Sequence, residues 1–125
     1  MLYSHVLLVG HGAPEGVVFG IGGKKEAKRF GQRIHPVGPF KIFVSLCCET
    51  GRSAFGKPFS KLPFCASLIA PYHSLPGATA SQFIQTFLAN HLIEGRSVKV
   101  AFRDAKKGTP GTLSYRFWKQ GRMQK

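Results

Sequence analysis

A chain of 125 residues, 43% of them apolar, has the length for one domain around one core and too much apolar content for a disordered segment. It contains no run of 18 or more apolar residues, so the sequence offers no helix that would cross a bilayer. Eighteen Lys and Arg against five Asp and Glu give a net charge of +13, which points to a polyanionic partner or to strongly solvated basic faces.

Residues 5–9 form an apolar run ending in Gly10-His11-Gly12, the pattern of a buried parallel strand entering a tight loop. The opening residues lack the basic region and cleavage site of a signal peptide. Residues 17–23, rich in glycine, predict a short hairpin or bulged strand, and residues 24–33 a short exposed helix. Pro36 and Pro39 precede a second strand over 40–46, which ends at Cys47-Cys48-Glu49-Thr50-Gly51. Residues 53–62 read equally as helix or loop. A third strand is expected over 65–70, with a loop over 71–78.

Phe83, Ile84, Phe87, Leu88 and Leu92 recur at helical spacing, which predicts a helix over 81–93 with Ser81 as N-cap and Gly95 at the C-cap. A second helix follows over 97–107, with Val98, Ala101, Phe102 and Ala105 on one face. A turn at 108–111 leads to a last strand over 113–118. Strands alternating with helices predict a single α/β domain over residues 1–125, a mostly parallel sheet flanked by helices.

In open sheets of this kind ligands bind beyond the carboxyl ends of the strands. The three apolar strands end at His11, at Cys47-Cys48 and at Pro71-Tyr72-His73, so a base, a thiol and a pocket loop are expected along one edge. A thiol becomes a nucleophile as thiolate, which a neighbouring imidazole stabilises. The backbone N–H groups of Gly12 and Cys48 are the candidate oxyanion donors. The plainer reading of either cysteine is a small core side chain.

Phe43-Val44-Ser45-Leu46-Cys47-Cys48-Glu49-Thr50-Gly51 resembles the nucleophile strand of CHAT and related caspase-like cysteine peptidases of the clan CD type. Leu7-Leu8-Val9-Gly10-His11-Gly12 resembles the strand that ends in their catalytic His-Gly. The segment from Ser67 to Gly77 is similar to their next strand and its substrate-pocket loop, and the segment from Phe83 to Ala105 to the helices that close the domain. The resemblance covers residues 4–107 and implies a Cys-His dyad. Cys48 would attack the scissile carbonyl and form an acyl-enzyme, and His11 would act as general base or acid. Gly12 and Cys48 would hold the oxyanion, and Tyr72, His73 and Ser74 would line the substrate pocket. Cys47 is the competing nucleophile, but in an extended chain its side chain and that of Cys48 point to opposite sides.

The family's sheet has further strands before the His-Gly strand, whereas this chain starts at it. The resemblance therefore implies a short or truncated member, with fewer strands than the full family domain. Its exposed sheet edge would be covered by a second copy, a partner chain or a longer parent protein. With five acidic residues, a pocket for a basic P1 side chain is hard to build, and complementarity favours an acidic one. No cofactor and no metal is expected: there is no Cys-x-x-Cys, and His5, His35 and His91 have no ligand spacing. Three cysteines, two of them adjacent, suggest reduced thiols and a cytosolic location. The expected partner is a protein or peptide substrate. Two other readings stand beside the peptidase. One is a catalytically silent caspase-like scaffold acting by interaction. The other is a small basic nucleic-acid-binding protein, with Phe117 and Trp118 stacking on bases rather than packing in a strand.

Overall fold

The computed structural model describes residues 5–13, 16–18, 24–26 and 41–124. Five strands form a sheet in the order β1-β5-β6-β7-β8: β1 is His5–Leu8, β5 Lys41–Ser45, β6 Cys65–Pro71, β7 Tyr115–Lys119 and β8 Arg122–Gln124. Strands β1, β5 and β6 run parallel, and β7 and β8 pair antiparallel onto β6. The sheet is thus mixed rather than mostly parallel. Strand β7 returns antiparallel against β6, and a hairpin then adds β8, with Gln120 and Gly121 both at positive φ (54° and 80°) in a two-residue turn that reverses the backbone.

Alternation along the strands divides the core in two. Phe43, Leu68, Ala70 and Trp118 face one side, where helix α1 (Ser53–Ser60) adds Phe55 and Phe59. Val44, Ile69, Tyr115 and Phe117 face the other. There they meet helix α2 (Gly77–Leu88) through Phe83, Ile84 and Phe87, and helix α3 (Val98–Gly108) through Ala101, Phe102 and Ala105. The result is a mixed α/β architecture with helices on both faces of an open sheet. Each fully buried Phe contributes about 1.5–3 kcal/mol. The Phe83 and Tyr115 rings stack at 3.8 Å between centroids, joining helix to sheet.

Helix α2 begins at Gly77, four residues before the expected Ser81, whose hydroxyl instead accepts from Gln85 within the helix. It runs into a π-helical turn, Ala89–Ile93, and Gly95 with φ 72° ends the segment. Ser97 caps α3 by accepting from the Val100 N–H at 3.2 Å. A second, three-stranded antiparallel sheet is formed by β2 (His11–Ala13), β3 (Gly16–Val18) and β4 (Lys24–Glu26). The helix expected over 24–33 therefore starts as a strand, and the remainder of that expectation lies outside the described residues, as do Pro36 and Pro39. No described helix is long and apolar enough to cross a membrane. Strand β1 is one edge of the described five-stranded sheet, with Leu7 in it and Val9 just after it exposed.

Candidate active site

Parallel pairing in the order β1-β5-β6 sets three carboxyl ends side by side, and the turns that follow them meet. After β5 the chain folds back on itself through a hydroxyl network. Ser45 Oγ accepts from the Cys47 N–H at 3.0 Å and lies 2.8 Å from Thr50 Oγ1, which donates to the Cys47 carbonyl at 2.7 Å. Ser45 and Thr50 are fully buried, so these bonds are shielded from water. Tyr115 Oη donates to the Ser45 carbonyl at 3.2 Å, and Trp118 Nε1 donates to the Gly51 carbonyl at 2.7 Å. The Gly51 N–H donates to Pro71 O at 2.8 Å, tying the turn to the end of β6.

This network presents two cysteines differently. Cys47 is fully buried and its thiol donates to the Leu8 carbonyl at 3.5 Å. Burial pushes that thiol up, against a smaller opposing effect of the Ser45 hydrogen bond, and the neighbouring Cys48 pushes it further. Cys65 is also core, its thiol pushed up to about 12 by burial. Cys48 is half-buried. Its Sγ accepts from the Leu75 N–H at 3.4 Å and donates to the Leu75 carbonyl at 3.6 Å. The next residue, Glu49, holds a positive φ of 64°, a conformation that costs a non-glycine residue about 1–2 kcal/mol.

His11 is exposed at the start of β2, opposite Val18. Gly12 lies directly against the Cys47–Cys48 backbone: a β-carbon there would overlap the Cys48 carbonyl oxygen and sit 2.6 Å from the Cys48 nitrogen and 2.7 Å from the Cys47 carbonyl carbon. The His-Gly turn and the cysteine turn are therefore in van der Waals contact, through a position only glycine can fill.

The 72–76 loop closes the third side. Two guanidinium groups lie over the Tyr72 ring, Arg52 at 4.7 Å and Arg116 at 5.3 Å from its centroid, and the ring meets that of His73 edge-on. Arg52 Nε also donates to Tyr72 O at 3.0 Å and lies 3.7 Å from Glu49 Oε2. Ser74 Oγ donates to Glu49 Oε1 at 3.1 Å. Tyr72 is half-buried, while His73 and Ser74 are exposed.

The structure thus brings Gly12, Cys48, Tyr72 and Ser74 into one neighbourhood, with His11 and His73 exposed beside it. Leu75, Arg52 and the Ser45–Thr50 pair escaped sequence reasoning. Leu75 acts through its peptide group, for which residue type carries no signal. Arg52 had one signal, its place directly after the Glu-Thr-Gly turn. Phe117 and Trp118 are buried on opposite faces of the sheet, at 6% and 3% exposure, and offer no platform to a base. Among the described residues no three His, Cys, Asp or Glu side chains gather as metal ligands. Compared with models of known protein families and with curated proteins, the chain matches none.

Proposed function

We propose that this chain is a cysteine endopeptidase of the caspase-like type, with Cys48 as nucleophile and His11 as proton carrier. The observation that carries this reading is the contact of Gly12 with the Cys48 backbone. It sets the turn that bears His11 beside a half-exposed thiol, at the strand ends where an open sheet binds ligands. The strained Glu49 directly after Cys48 adds to it, since such strain collects at functional sites.

In this mechanism the Cys48 sulfur, as thiolate, attacks the scissile carbonyl carbon, with the thiol proton held on His11. The Gly12 and Cys48 N–H groups receive the developing oxyanion. The carbon–nitrogen bond then breaks, the amine leaves with the proton from His11, and a thioester remains on Cys48. Water, deprotonated by His11, hydrolyses the thioester and restores the thiol. Arg52 and Arg116 around Tyr72 favour a substrate with an acidic P1 side chain.

The test uses fluorogenic peptides with Asp, Glu, Leu or Lys at P1, on wild type, Cys48→Ala and His11→Ala. Cleavage after acidic residues that both substitutions abolish, with the melting temperature nearly unchanged, is the expected result. Cleavage that survives Cys48→Ala would refute the assignment.

One observation favours a second reading, the catalytically silent scaffold. The Cys48 thiol is engaged by the Leu75 peptide group, accepting from its N–H and donating to its carbonyl, and among the described residues no hydrogen bond of Cys48 reaches His11. The pH dependence of alkylation at Cys48, in wild type and His11→Ala, separates the two. Reaction at neutral pH that slows without His11 supports the peptidase. Reaction only above about pH 8, unaffected by His11→Ala, supports the scaffold.

A further inference from the structure

Helix α3 carries a basic ridge that the site around Cys48 does not use. Lys99, Arg103, Lys106 and Lys107 recur at helical spacing, so they share one side of α3. Together with Leu113, Phe102, Phe117 and Gln124 they line a cavity of about 270 Å³. Phe102 and Phe117 meet edge-to-face, with centroids 5.7 Å apart, and are 8% and 6% exposed. Leu113, on the approach to β7, is 70% exposed. An apolar floor is therefore ringed by four cations, and no carboxylate among the described residues lines the cavity. The nearest acid on the helix, Asp104, is held by Arg96 at 3.0 Å and by Arg103 at 3.6 Å.

We propose that this groove is a docking site for an acidic peptide segment, in which one bulky apolar residue enters the cavity and flanking carboxylates pair with the α3 cations. Three features select that occupant. The cavity lies near the small end of the range for ligand pockets, a size suited to an apolar side chain rather than to an extended ligand. Its two aromatic rings are almost wholly buried, and the Lys106 ammonium lies over the Phe102 ring, so little ring face is left for a base to stack on, which disfavours single-stranded nucleic acid. The cations surround an apolar pit and are not laid out beside a stacking platform.

Lys106 adds a reason for affinity. Its ammonium lies 5.0 Å from the Phe102 centroid, and burial, followed by the neighbouring Arg116, pushes it below its usual value. A peptide carboxylate at this point would relieve the repulsion between two like charges.

The lining shares no residue with the proposed Cys48 site, and the variants below leave Arg116 in place, so docking is read separately from catalysis. The experiment is fluorescence anisotropy with a labelled short peptide of Asp and Glu around a central Leu-Phe pair. Its comparisons are the same peptide with Ala-Ala at the centre, and an unlabelled oligo(dT) as competitor. Saturable binding is expected, weakened at least about tenfold by Arg103→Glu with Lys107→Glu. Leu113→Ala, at an exposed position, is expected to weaken it about fivefold, and the Ala-Ala peptide to bind correspondingly worse. Lys57→Glu with Lys61→Glu, next to or on helix α1, should leave the affinity unchanged apart from a small non-specific charge effect. The proposal is overturned if Leu113→Ala and the Ala-Ala peptide both bind as tightly as their parents. It is equally overturned if the α1 reversals weaken binding as much as the α3 reversals, or if oligo(dT) displaces the peptide at equal charge concentration.

Discussion

Gly12 and Cys48 meet backbone to backbone, with no room for a β-carbon between them. The His-Gly turn is thereby fixed against the cysteine turn by main-chain contact, and the thiol's surroundings depend on a residue that has no side chain.

Gly12→Ala must push the two turns apart. The overpacking is expected to cost about 1–3 kcal/mol. Because the displaced segment bears His11, the alkylation rate of Cys48 should change as well. Thermal melts and peptide mass spectrometry read the two effects. An alanine variant that melts and alkylates like wild type would contradict the contact.

Glu49 allows the backbone to be tested apart from its carboxylate. Glu49→Gly and Glu49→Ala both remove the contacts to Ser74 and Arg52. Only the alanine must still bear the positive φ of 64°. The glycine variant is expected to be more stable than the alanine variant by about 1 kcal/mol, as read from denaturant midpoints. Equal midpoints would mean that the turn relaxes to another conformation.

Trp118→Phe keeps most of the ring's burial but removes the donor to Gly51 O. A buried carbonyl that loses its partner costs about 1–3 kcal/mol, and the cysteine turn should loosen. Urea unfolding measures the first effect. Faster hydrogen exchange at the Gly51 N–H, which bonds to Pro71 O, measures the second.

The His5 and His91 rings are tilted 58° to each other with centroids 5.1 Å apart. Burial, and after it the charge of His91, holds His5 below its ordinary 6.5. The unfolded chain therefore takes up this proton first, and the His5 contribution to stability falls as the pH drops through 6.5. Melting temperatures taken from pH 7.5 down to pH 5 should decline less steeply in His5→Asn than in wild type. An unchanged decline would show that other groups set it.

The strands and helices that bury a face were legible because their apolar residues keep the period of the element. Phe43 and Val44, or Leu68 and Ile69, divide between two cores by alternation alone. The lateral arrangement of His11, Cys48 and Tyr72 followed from reading three apolar runs as parallel strands that end together. The β7–β8 hairpin was missed because Arg122, Met123 and Gln124 have no apolar alternation, and their pairing depends on the Gln120-Gly121 turn. The start of α2 was misjudged because Ser81 has the chemistry of a cap, whereas the helix begins at Gly77, after Pro76, with no side-chain cap. In the candidate site Cys48, Tyr72 and Ser74 were named from the sequence, whereas Arg52 and the Ser45–Thr50 pair were not. Nor were the contacts of Leu75, since any residue supplies a peptide group.

The Ser45–Thr50 turn is secured from far along the chain: Tyr115 and Trp118 reach it across 70 and 67 residues, respectively. During synthesis the cysteines leave the ribosome long before either aromatic does. Until then the Ser45 and Gly51 carbonyls lack these donors, and a nascent chain carries both thiols without the finished turn. A ribosome-stalled chain that ends before Tyr115 should therefore show Cys47 and Cys48 equally open to alkylation.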